Sequence, residues 1–298
     1  MADASIPVDL YNPGQVFACL GLVELADVLL GDAEGAFDWS GSGARFHVRA
    51  AGPDSPVARA LAFLDRAEAV ALVVDGSPNL AAWKSAWGAA PRVGARDAGY
   101  PFPDPDSPAT LVCALIAGEH EIRIEHWGDQ TERDNVKFWA GAGGYPGAAL
   151  ARDALELIRG KLADAAGDPF ALAAPMSSSF RLDWRRDYIP LDAGFSLNDH
   201  KATMSALGYP LVELLAAIGL SHARPLRLDR RDKLTYAYGV AGRDETTGSL
   251  WLRPSFLRAA LGAAPLPFPM RRFRMFLGWP GQENQARAIT TVTEESCS

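Results

Sequence analysis

The chain has 298 residues, of which 48% are hydrophobic and 22% charged, and its formal net charge is −7. That length fits one large or two modest domains with a real core. No uninterrupted apolar run reaches the roughly 18 residues that span a bilayer; the longest candidate, residues 16–30, is broken by Gly21, Glu24 and Asp27. The first residues lack the basic stretch and apolar core of a signal peptide. A cytoplasmic chain without a membrane partner is expected.

The charge is uneven. Residues 1–170 hold 13 Lys and Arg against 24 Asp and Glu, whereas residues 171–298 hold 16 against 12. Such asymmetry marks either a nucleic-acid face or an accident of surface composition. A domain boundary is placed near residue 170, giving an acidic unit 1–170 and a more basic unit 171–298, with one integrated domain as the alternative.

In chain order, 6–10 reads as a short strand and 13–30 as a helix. Residues 36–40 and 45–49 can pair as strands across Gly41-Ser42-Gly43. A helix is expected at 56–68 and a buried strand at 70–74. The run 101–108 has proline at every second or third position and cannot be a regular element. Residues 110–116 and 119–127 suggest a hairpin turning at Ala117-Gly118, with Ile122 and Ile124 on one face and Glu121, Arg123 and Glu125 on the other. Helices follow at 147–163 and 210–220, separated by a linker-like stretch, 164–179. Strand character returns at 234–240, 249–252, 273–277 and 286–292, with a further break at 263–269. The expected class is α+β, with mixed helices, mainly antiparallel strands and no regular βαβ pattern.

The most informative segment is residues 9–27. Asn12 suits an N-cap, because its side-chain oxygen can accept an unpaired amide at the helix start. Pro13 suits the first helical position, and Gln15 stands where a capping box places its second member. Phe17, Leu20, Cys19 and Val23 then face a core, with Glu24 and Asp27 toward solvent. A well-capped first helix accounts for all of this without any function.

The same run, Asn12-Pro13-Gly14-Gln15-Val16-Phe17-Ala18-Cys19-Leu20-Gly21, resembles the N-terminus of CRISPR-associated proteins of type I-U (also called I-G) loci. Residues 209–220, following Asp183-Trp184-Arg185-Arg186, resemble the same family. The likeness is to the small version of the large, Cas-eight-like subunit of the surveillance complex, and about 35 residues carry it closely. The resemblance implies other CRISPR-associated subunits, a guide RNA, target DNA and a recruited helicase-nuclease as partners. It also implies recognition of the motif flanking the target and help in opening the duplex. In RNA-guided recognition base pairing reads the sequence, while protein reads the flanking motif and backbone. The resemblance supplies no catalytic residue, and no cofactor is expected.

Three basic clusters are the candidate nucleic-acid contacts. Arg181, Arg185 and Arg186 lie beside Trp184 and Tyr188. Arg230, Arg231 and Lys233 follow Arg224 and Arg227. Arg271, Arg272 and Arg274 interleave with Phe273 and Phe276. Arginine bridges phosphate or a guanine edge with two hydrogen bonds, and aromatics stack on unpaired bases. The plainer reading is surface ion pairing, since Asp183, Asp187, Asp229 and Asp232 lie in the same runs. A glycine-rich turn precedes the helix at 147, but Pro146 stands where a third glycine would be needed for a nucleotide loop; a loop carrying Arg133, Asn135 and Lys137 toward a partner is the better reading.

Other chemistry is poorly supported. Cys19, Cys113 and Cys297 show no paired metal spacing, and the first two read as buried free thiols. His120 and His126 on one extended strand would be about 20 Å apart, too far for one metal. No G-x-S-x-G elbow is present. Three readings remain: a non-catalytic subunit of a nucleic-acid complex, an adaptor contacting guide RNA or protein only, and a metal-dependent nuclease.

Overall fold

The structure, a computed structural model, describes residues 1–94, 104–125, 145–185, 206–232, 234–278 and 288–295. The elements in order are β1 (Ala2–Pro7), α1 (Pro13–Leu30), β2 (Glu34–Asp38), β3 (Arg45–Ala50), α2 (Pro56–Arg66), β4 (Glu68–Val74), α3 (Pro78–Ala82), β5 (Arg92–Gly94), β6 (Cys113–Ala117), β7 (His120–Ile124), α4 (Gly147–Ile158), β8 (Ala174–Met176), β9 (Ala206–Gly208), α5 (Pro210–His222), β10 (Leu226–Arg227), β11 (Thr235–Arg243), α6 (Pro254–Leu261), β12 (Met270–Gly278) and β13 (Ala288–Glu295). The fold is α+β. One sheet has the order β1-β3-β2-β11-β12-β13, with β10 on β11; a second runs β5-β4-β6-β7, and β8 pairs with β9. The β2–β11 and β4–β5 ladders are parallel and the other named ladders antiparallel.

Two helices form the centre. α1 is buried from Pro13 through Ala26, and α5 from Pro210 through Leu220. A helix apolar all round belongs in an interior. α1 is long and apolar enough to cross a membrane by length and composition, which the interrupted-run reading missed, yet 78% of it is buried inside the protein. The helices run side by side in the same direction. Gly21 faces Gly219, and one turn on Glu24 lies 3.7 Å from His222. A Cβ on Gly21 would sit 1.9 Å from the Leu215 carbonyl oxygen, and one on Gly219 would sit 2.2 Å from that of Phe17. Only glycine permits such backbone contact.

The large sheet lays Phe37, Phe46, Val48, Tyr238 and Phe273 against these helices. Phe17 meets Tyr238 edge-on at 5.9 Å, and Tyr238 stacks on Phe273 at 5.2 Å. The Tyr238 hydroxyl donates to the Leu10 carbonyl at 2.7 Å, which keeps a buried polar group satisfied. Residues on both sides of position 170 share this core and the β2–β11 ladder, so position 170 does not separate two cores.

Several local expectations are corrected. The first strand is Ala2–Pro7, because Asp9 Oδ1 accepts from the Tyr11 amide and turns the chain. Glu24 is buried, not solvent-facing: Arg258 donates to both its oxygens at 2.6 Å. The helix expected to reach 163 ends at Ile158, just before Gly160 at φ 73°. Within the linker-like stretch, Ala174–Met176 is a strand and Phe170 is buried. Residues 249–252 make only a single bridge, Leu252 to Gly35. Trp251 there packs beneath the guanidinium groups of Arg49 and Arg243, at 4.4 and 4.8 Å. Helix α6, which begins with Pro254 at its first turn, had no expectation.

Candidate nucleic-acid interface

The structure separates the three arginine clusters by what their guanidinium groups already hold. In the first, Asp183 is buried and Arg185 is bound to it: Arg185 Nη2 donates to Oδ2 at 2.6 Å and Nε to Oδ1 at 3.0 Å. Arg185 Nη2 also donates to the Phe170 carbonyl at 2.9 Å, and its guanidinium lies 3.5 Å over the Tyr209 ring. The site is a knot at the N-terminal ends of α1 and α5. Asn12 Nδ2 donates to Asp183 Oδ1 at 2.9 Å. The buried Glu213 carboxylate accepts from the Leu182 amide at 3.1 Å and the Asp183 amide at 3.0 Å. Arg181, at φ 62°, sits just before these two amides, and alternating left-handed backbone of this kind turns successive N–H groups onto one anion. Two buried carboxylates thus occupy the positive ends of two parallel helices.

The Asn12 cap reading is corrected by this geometry. Asn12 occupies the N-cap position, but its side chain makes no capping hydrogen bond. Its amide is committed to Asp183, and Oδ1 is buried without a partner. Gln15 does reach back, accepting from the Asp9 amide at 2.7 Å. All three segments that carry the family resemblance, around Asn12, Asp183 and Tyr209, meet in this one knot. Their closest physical role is architectural.

The third cluster is also paired. Arg271 donates to both oxygens of Glu294 at 2.6 Å, and the Tyr11 hydroxyl donates to Glu294 at 2.7 Å. The Arg271 hydrogen bonds hold the Glu294 carboxyl below its usual pKa, and that same pairing pushes the Arg271 pKa up. Arg274 donates to Glu295 at 2.8 Å. Arg272 Nε lies 2.7 Å from Glu295 Oε2, close enough to be an ion pair but not aligned as a hydrogen bond. Arg271, Arg272 and Arg274 are thus in surface ion pairs, whereas Arg185 is bound to a buried carboxylate.

The second cluster differs. β10 and β11 pair antiparallel, Leu226 with Ala237 and Arg227 with Tyr236, so the described residues 228–232 and 234 lie in the connection between them. Arg227 organises that turn from within. Its Nε donates to the carbonyls of Asp229 at 3.0 Å and Asp232 at 2.9 Å, and its Nη2 to that of Arg230. Asp229 accepts from the Arg231 amide at 2.7 Å and Asp232 from the Leu234 amide at 2.7 Å, so both acids serve the turn's backbone. Arg230 and Arg231 are exposed, and among the described residues no acidic side chain pairs with either. Residues 224–233 contain five basic and two acidic residues. Register places Leu226, Ala237, Arg274 and Thr293 in one row across the sheet beside this turn. The result is a preorganised cationic tip at one end of a β-sheet.

No protein-family model, curated protein or solved structure matches this chain. The candidates Arg186, Lys233, Arg133, Asn135 and Lys137 lie outside the described residues. Arg181 is half-buried and engaged beside the knot. Among the described residues no three His, Cys, Asp or Glu side chains gather as for a metal ion. Sequence reasoning missed the role of Arg227, because a side chain bonding to carbonyls leaves no motif. Its only trace is an arginine two residues before a short run of Asp and Arg.

Proposed function

We propose that this chain is a non-catalytic subunit of a type I-U CRISPR RNA-guided surveillance complex that touches nucleic acid through the β10–β11 turn. The observation that carries the contact is the pair Arg230 and Arg231, exposed and without an acidic partner among the described residues, on a turn that Arg227 holds in shape. The reading of the chain as part of such a complex rests on the sequence resemblance of residues 12–21, 183–186 and 209–220. With a net charge of −7, the molecule as a whole steers DNA or RNA poorly, so binding must be local or shared with partner subunits.

The test is Arg230→Glu with Arg231→Glu in a complex reconstituted with guide RNA and neighbouring subunits. The expected result is unchanged assembly, weaker target binding, and a salt dependence flattened by roughly one unit of slope for each lost phosphate contact. Assembly with unchanged affinity and slope would overturn the contact and favour an adaptor that touches only protein. Metal-dependent cleavage by the highly purified chain would overturn the non-catalytic assignment.

A further inference from the structure

Between β4 and β5 the chain makes a surface excursion, residues 75–91. Ser77 Oγ accepts from the Asn79 amide and starts α3, and a 3-10 turn at Ser85–Trp87 follows. Trp83 and Trp87 meet edge to face, with ring centroids 5.3 Å apart. Trp83 packs against the core, and Trp87, half-buried, packs on Trp83 outside it. Lys84 is exposed, with Nζ 5.0 Å from the centroid of the Trp87 ring. Gly88, at φ 116°, lets the turn close onto α4, because a Cβ there would sit 2.9 Å from Arg152 Nη1. Leu80 before the pair and Val93 after it are 41% and 45% exposed.

Charge sets this stretch apart. Residues 1–170 hold 24 Asp and Glu against 13 Lys and Arg, yet residues 76–94 contain Lys84 and Arg92 and no acid. Arg92 lies 3.3 Å from Glu121 of β7. Among the described residues no acidic side chain pairs with Lys84. A ring outside the core, with an exposed ammonium group over it, suits an occupant that is both planar and anionic. A nucleotide is both: its base stacks on an aromatic face, and its phosphate takes a lysine. An apolar protein surface would cover the indoles and Leu80 but leave the Lys84 charge unanswered.

We infer that Trp87 and Lys84 form a stacking site for unpaired DNA. A base lies on the Trp87 ring, and Lys84 moves from that ring to the adjoining phosphate. The site rests on the nucleic-acid reading above and adds to it a contact of a different kind, one for single strands. From Leu80 to Val93 the one hydroxyl or amide side chain is that of Ser85, and the Asn79 amide just before this stretch is committed to the Pro105 carbonyl. A surface so poor in hydrogen-bonding groups reads neither base edges nor the 2′-hydroxyl that distinguishes RNA. It is therefore tolerant of sequence, it gains nothing from RNA, and the target of the proposed complex is DNA.

The test is fluorescence anisotropy of labelled oligothymidine, oligouridine and a DNA duplex of matched length with the full chain at several salt concentrations. The wild-type chain should bind oligothymidine at least as tightly as oligouridine. Trp87→Ala should weaken oligothymidine binding by about fivefold or more, the low end of what one stacked base contributes. Trp87→Phe should keep most of the binding, with circular dichroism and melting temperature unchanged in both. Lys84→Gln, at an exposed position, tests the site without disturbing the tryptophans; it should flatten the salt dependence by about 0.7 of a unit of slope, the share of one single-strand phosphate. Arg230→Glu with Arg231→Glu should weaken duplex binding and leave the effect of Trp87→Ala in place, so failure of the turn and failure of this site are told apart. A wild-type chain that ignores oligothymidine, tighter binding of oligouridine, or wild-type oligothymidine binding in Trp87→Ala and Lys84→Gln would each overturn the proposal. If Trp87→Ala binds oligothymidine normally but fails to assemble with neighbouring subunits, the platform is a protein-docking surface and the proposal falls.

Discussion

Asn12 and Asp183, 171 residues apart in the chain, are joined by a 2.9 Å hydrogen bond at the N-terminal end of the buried helix α1. The bond fixes the orientation of the Asn12 amide, since the alternative would turn its oxygen toward a carboxylate. It therefore makes the charge of residue 12 matter more than its capping ability. Asn12→Ala should lower stability by about 1–2 kcal/mol through the lost donor. Asn12→Asp should lower it more, by about 3 kcal/mol or above, because it buries a second carboxylate against the first. Urea unfolding of the two variants checks the order. If Asn12→Asp is as stable as wild type, a simple cap would be the better account.

Gly21 and Gly219 make a sharper prediction. The Leu215 carbonyl oxygen stands 1.9 Å from the position of a Cβ on Gly21. Gly21→Ala should force α1 and α5 apart and lower stability by about 3 kcal/mol. Gly41, which has open space around it, is the control; Gly41→Ala should stay within about 0.5 kcal/mol. Thermal melts of both variants are sufficient.

The Arg271–Glu294 pair predicts a pH dependence with a definite sign. The Glu294 pKa is lowered in the fold, first by the Arg271 hydrogen bonds. The stabilisation is therefore fully present above the ordinary glutamate value of about 4.3 and is lost as pH falls through the lower folded value. The pair is partly exposed and is worth no more than about 1 kcal/mol. Glu294→Gln should lower the melting temperature at neutral pH, and the gap to wild type should narrow as the solution is acidified below about pH 4. A gap that is constant with pH would remove the ion pair as its cause.

The two central cysteines should be chemically silent. Cys19 and Cys113 are buried; burial pushes the Cys19 thiol up, and that of Cys113 up to about 12. The thiolate is the reactive form. Neither should be alkylated in the native protein, and both should be alkylated on unfolding, as peptide mass spectrometry would show. Native modification of Cys19 would mean that α1 opens under native conditions.

The basic clusters show where sequence reading stops. Charge near charge was visible for all three, as was the presence of aspartate within two of them. What decided their fates was distance in space: Glu294 and Glu295 lie more than twenty residues from Arg271 and Arg272, yet next to them across the β12–β13 ladder. Arg230 and Arg231 remained available because their nearby aspartates are spent on turn amides.

By itself the sequence determined what local physics controls. The extent of α1, the pairing of 36–38 with 45–47, the turn at Gly118 and the burial of Cys19 and Cys113 follow from periodicity, capping residues and apolar runs. Only the tertiary structure decided the burial of Glu24, the partner of Asn12, the contact of Gly21 with Leu215 and the exposure of Arg230 and Arg231 beside aspartates that serve the turn. Each of these depends on a residue distant in the chain or on which neighbour a carboxylate serves. Helix period and strand alternation report which face of an element is apolar, but they carry no information about which polar group arrives from elsewhere to satisfy a buried one.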